Sequence, residues 1–148
     1  MSYKVVEDGF LTLIRLLSNY NQENSSIGDY RILGRGVVRA VVLMPGGIPR
    51  REVLAAPRYV HTLWVINVEL YIPFLTDISD IHEAMRVDRQ ELIDHIDKYP
   101  TLNKVADVVN AFITGATEPE EWIGESRRWW RQVLRCEVSE NVTVTIAE

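Results

Sequence analysis

The chain has one cysteine, Cys136, in 148 residues. An internal disulfide is therefore excluded, and a reducing compartment is the simplest home. It shows no signal-peptide-like apolar segment near its start, and no run approaches the ~18–20 apolar residues that cross a bilayer. Basic charge is short as well. With 16 Lys and Arg against 21 Asp and Glu the net charge is −5, whereas a dedicated nucleic-acid binder carries a basic surplus.

Catalytic and metal signatures are missing. Of the three histidines, His61 falls in an expected strand, while His82 and His95 share one expected helix. His82-Glu83 is followed by Arg86 where an H-E-x-x-H site needs its second histidine. Ser126, in Gly124-Glu125-Ser126-Arg127-Arg128, lacks the second glycine of a nucleophile elbow. Gly34-Arg35-Gly36 leads into a strand instead of following one and has no third glycine. Cys136 alternates in phase with Leu134 and Val138, which makes it a core thiol. No enzyme, cofactor or metal is expected.

What is present is hydrophobic pattern. Residues 58–74, RYVHTLWVINVELYIPF, place Val60, Thr62, Trp64, Ile66, Val68, Leu70, Ile72 and Phe74 on one side of an extended chain. The other side is mixed, with Leu63, Val65 and Tyr71 among polar residues, so a half-apolar outer face is expected there. Residues 3–20 carry the stripe Val6, Phe10, Leu13 and Leu17 of an amphipathic helix. Val37–Met44 reads as a strand, and the proline- and glycine-rich PGGIPRREVLAAP after it as a long loop. A second helix runs from Asp77 to about Tyr99, stopped by Pro100. Val105–Thr114 is strand-like, the stretch GATEPEEWIGES is a loop, and the alternation of 128–138 closes the chain as a strand. Val142, Val144 and Ile146 continue that parity beyond a bulge or turn at 139–141. The expectation is a single α+β domain, a four-stranded, largely antiparallel sheet packed against two helices.

Charge is segregated along the chain. Residues 31–58 hold Arg31, Arg35, Arg39, Arg50, Arg51 and Arg58 against Glu52, a balance of +5, whereas residues 77–98 stand at −4. That pattern fits either two solvated faces or a basic edge meeting the acidic helix of a neighbouring copy. Trp122, Trp129 and Trp130 crowd the C-terminal third. Trp130 has core parity, and Trp129 is expected to cover an edge or an interface.

The PGG segment, the arginines leading into RYVHTLWVINVELYIPF, the helix ending in DKYPTLNKV and the closing WWRQVLRCEV resemble, over roughly residues 1–146, the tail terminator proteins of long-tailed phages. These are also called tail completion or tail-to-head joining proteins. The resemblance implies a virion protein at the head-proximal end of the tail, assembled in the host cytoplasm. It implies a homo-oligomer, a hexameric ring that stops growth of the tail tube protein and docks to a head-completion or connector protein. DNA would pass through the lumen without sequence-specific binding, and no membrane is involved. The family has no catalytic residues to carry over, and the 45–57 loop is long for it. On this reading Arg50, Arg51, Leu63, Val65, Tyr71, Trp122 and Trp129 are the interface candidates. Alternatives are another neck or connector protein of the same particle, or a small cytoplasmic adaptor binding through its tryptophan-rich end.

Overall fold

A computed structural model of the chain describes residues 3–34, 36–55, 58–74, 78–124 and 127–143. Among them the fold is α+β, with two α-helices and a mixed six-stranded sheet. Two strands more than the expected four are thus present.

The first helix, α1 (Tyr3–Ile14), buries Val6, Phe10, Leu13 and Ile14. It stops six residues before the expected end because asparagines compete for the backbone there. Asn24 Nδ2 donates to the Asn19 carbonyl at 2.7 Å, and Asn24 Oδ1 accepts from the Asn21 N–H at 2.7 Å. A short strand, β1 (Ser25–Ile27), follows, then a 3-10 turn at Tyr30–Ile32 capped by Asp29.

The next two strands, β2 (Ala40–Ala55) and β3 (Arg58–Pro73), form a long antiparallel hairpin. The strand expected within 58–74 is therefore there, but the loop expected over 45–57 is not. Its described part, through Ala55, continues β2. Prolines are tolerated because only Val41–Leu43 of β2 are paired on their outer side, to β1, so Pro45 and Pro49 stand on a free edge. The pairing slips between Pro45 and Gly47 and again between Gly47 and Arg50. Glycine is required at that bulge. A Cβ on Gly46 would lie 2.5 Å from Val65 Cγ1, and Gly47 has φ +100°.

Helix α2 (Ile78–Lys98) carries Ile81, Met85, Leu92 and Ile96 inward. The connection after it holds Leu102, Asn103 and Lys104 at φ 54°, 62° and 68°, a left-handed run anchored by buried Leu102. Then come β4 (Val108–Ala116), β5 (Glu120–Ile123) and β6 (Arg128–Thr143). The order across the sheet is β1-β2-β3-β6-β4, with β5 pairing β6 beyond the end of β4. Every pairing but β1 with β2 is antiparallel. Against β3, β6 runs in unbroken register through residues 139–141, so no turn falls there; the irregularity at this point lies in the pairing with β4, between Val108 and Asn110 opposite Glu140 and Ser139.

Both helices cover one face. Ile66, Val68, Leu70 and Ile72 of β3 meet Leu134, Cys136 and Val138 of β6, with Met85 and Leu92 of α2 above them. Trp130 packs half-buried at the border of this core. The opposite face carries a second, smaller core of Leu33, Ala40, Val42, Tyr71 and Trp129, covered by residues of the 30–37 segment and by Trp122.

Candidate functional site

The second core borders a cleft of about 510 Å³, lined by Tyr30, Arg31, Leu33, Gly34, Trp122, Ile123 and Gly124. Its position follows from three local facts. β5 pairs with the start of β6, which puts Trp122 opposite Trp129. The 3-10 turn at Tyr30 lies over the same face and stacks its ring on Trp122, with centroids 5.8 Å apart and planes at 28°. Arg127 then ties down the backbone at Val37, Nη1 donating to the Val37 carbonyl at 2.9 Å while the guanidinium lies 4.9 Å from the Trp129 ring centroid.

Beneath the stack sits a buried carboxylate. Glu69 accepts from the hydroxyls of Tyr30 and Tyr71, each at 2.8 Å. Burial first, and then the Glu69 carboxylate, push both phenols above the ordinary tyrosine range, so they stay neutral donors. The network is self-satisfied and fixes the Tyr30 turn to β3.

The second feature is the far half of the β2–β3 hairpin, where Pro45 to Arg51 are exposed. Beside it, Ile48, Arg51, Val60, Thr62, Trp64, Glu140 and Val142 line a smaller groove of about 240 Å³.

The expected interface residues are distributed unevenly. Arg50 and Arg51 are exposed, but on a paired strand, opposite Leu63 and Thr62, and not at a loop tip. Leu63 is half-buried. Val65 is shut against Gly46, and Tyr71 and Trp129 are fully buried in the second core, so these three present no free outer face. Trp122 keeps part of its surface in the cleft. Parity alone assigned Tyr71 to the correct side of the sheet and could not show that Tyr30, Ile32, Leu33 and Val37 pack over it.

Three of the arginines in the basic segment have carboxylate partners within the chain. Arg31 pairs with Asp29, Arg39 with Asp88 and Arg50 with Glu52. The acidic helix is thus met by the basic segment of its own chain, through Arg39. His95 is a core histidine, its Nε2–H donating to the Leu13 carbonyl at 2.7 Å. Among the described residues no group of His, Cys, Asp or Glu is placed to hold a metal ion, and no helix is long and apolar enough to cross a membrane. Sequence reasoning missed Tyr30 and Ile123. The one available signal was an aromatic beside Asp29, a turn residue.

No protein-family model matches the chain, and no curated protein matches it.

Proposed function

We propose that this protein is a structural subunit of the tail-terminator kind, which caps a phage tail tube as a ring of identical copies, stops tube growth and offers a docking surface to the head connector. The observation that carries the reading is the exposed β2–β3 arm. It holds Ile48 and Val53 about half in water, apolar surface left open to solvent on the arm. Ring contacts between identical subunits are heterologous, so they need two different complementary surfaces. An arm at one end of the sheet and an aromatic cleft at the other supply that asymmetry. The net charge of −5 suits a subunit that lets DNA pass without holding it. The partners are then further copies of this chain, the tube protein and the connector.

The test is assembly in a phage that carries the gene. Loss of the protein should give tails of uncontrolled length, and adding it purified to polymerising tube protein should cap growth as rings visible by electron microscopy. Tails of normal length that merely fail to join heads would place the protein in the neck instead. Normal tails joined to heads would end the virion reading. A second reading, an adaptor for an apolar or aromatic peptide, draws on the Tyr30–Trp122 cleft. It predicts peptide binding by a monomer with no effect on tube growth.

A further inference from the structure

We infer that the groove beside the arm is a binding site for a small zwitterion, an α-amino acid with an aliphatic side chain, its ammonium taken by Glu140 and its carboxylate by Arg51. The site stands on its own residues and goes beyond the ring reading.

Strand register builds it. Arg51 of β2 lies opposite Thr62 of β3, and Thr62 lies opposite Glu140 of β6. Directly opposed residues point to the same face, so the three side chains form one row. The two charges in that row stand two strand spacings apart, roughly 10 Å between their Cα atoms. Val60 and Trp64 flank Thr62 along β3, and Val142 lies opposite Val60, so all three share the row's face. With Ile48 they complete the lining of the groove of about 240 Å³. It therefore has a carboxylate on one side, a guanidinium on the other, a hydroxyl between them and aliphatic walls.

Both charged groups lack partners. Glu140 is 2% exposed, and its Oε2 accepts no hydrogen bond. Unpaired buried acceptors are rare in folded proteins, and a buried carboxylate without a cation is costly. Trp64 Nε1 donates only to Oε1, at a long 3.3 Å. Arg51 is exposed and makes no ion pair among the described residues, with Glu140 or with any other carboxylate. An ammonium group brings the donors that Glu140 lacks, and a carboxylate matches the guanidinium fork. The last torsion of a glutamate is soft, so a turn about it offers either oxygen to the groove. A guest carrying only a cation would be repelled by Arg51, and one carrying only an anion by Glu140. One small molecule with both charges answers both, and Ile48, Val60 and Val142 suit a branched aliphatic side chain.

Calorimetric titration of the full chain with L-leucine at pH 7.5 tests the site. The comparison ligands are 3-methylbutylamine, which lacks the carboxylate, and 4-methylpentanoate, which lacks the ammonium. Leucine should bind at one site per chain, and each analogue about tenfold more weakly or worse, the loss of one charge-assisted pair. Glu140→Gln and Arg51→Gln should each weaken leucine binding by the same order while circular dichroism stays native. Arg51 is exposed, so its variant decides the matter even where the other fails to fold. No binding of leucine at millimolar concentration overturns the site. So does an amine or an acid that binds as tightly as leucine, or leucine binding unchanged in the Arg51 variant. None of these results touches the terminator reading, which tail length decides separately.

Discussion

Arg39 Nε lies 3.1 Å from Asp88 Oδ2, joining the start of β2 to the middle of α2 across the edge of the core. Arg39 Nη1 also donates to Asn19 Oδ1 at 2.8 Å, and Asn19 Nδ2 donates to Glu91 at 3.0 Å. The segment after α1, the entry to β2 and the acidic helix are thus held by one network. The charge segregation along the sequence is, in part, an internal clamp. Burial nevertheless keeps the Asp88 carboxyl above its ordinary range, outweighing the Arg39 charge.

Asp88→Ala should therefore destabilise the fold by about 1–3 kcal/mol, less than the ~3–5 of a fully buried pair because Arg39 keeps a third of its side chain in water. Asp88→Asn retains an acceptor and should cost under about 1 kcal/mol. Urea denaturation of both variants checks the order. Equal losses would mean that Arg39 gains nothing from the oxygen it faces.

Leu134 of β6 is fully buried in the main core with Cys136, Val138, Met85 and Leu92. Leu134→Ala should cost about 2–5 kcal/mol, the lost transfer energy plus the cavity left under α2. A loss below about half a kcal/mol would show that α2 does not cap this part of the sheet.

Cys136 should be chemically silent in the native protein. Its thiol is fully buried, and that burial pushes its pKa up and out of the reactive range. A thiol reagent should label it only in denaturant. Labelling at a rate near that of free cysteine in native buffer would place β6 or β4 in rapid local opening.

The parts of this fold that the sequence revealed are those where misplacement is costly. In β3 a one-residue slip would turn Ile66, Val68, Leu70 and Ile72 out of the core, so their alternation identified both strand and face. The stripe of α2 was equally plain. The second half of β2 was hidden because prolines and glycines signal loops, and only pairing along β3, not local propensity, makes that segment a strand. β5 is four residues long, Glu120–Ile123, and opens with two glutamates tied to Arg131 and Arg128 of β6. Nothing local marks it. The cleft was unreadable for a related reason. Tyr30 and Trp122 are distant in sequence, and each becomes half of a site only when the turn at Asp29 lays Tyr30, Ile32 and Leu33 over the outer face.

The last prediction concerns Glu140, which is 2% exposed on the floor of the arm groove. Its Oε1 accepts from Trp64 Nε1 at 3.3 Å, and its Oε2 has no partner. Burial raises its pKa above the usual glutamate value. The folded state therefore holds this proton more tightly than the unfolded chain does. The group's contribution is fully present below the unfolded value and is lost as pH rises through the folded one. Glu140→Gln removes the charge and can keep the Trp64 contact. It should stabilise the protein near pH 7.5 and do so less near pH 4, where protonation of the native carboxyl removes the same charge. Urea midpoints at the two pH values measure the difference. A glutamine variant less stable at pH 7.5 would mean that the bond from Trp64 to the ionised carboxylate outweighs the cost of its burial.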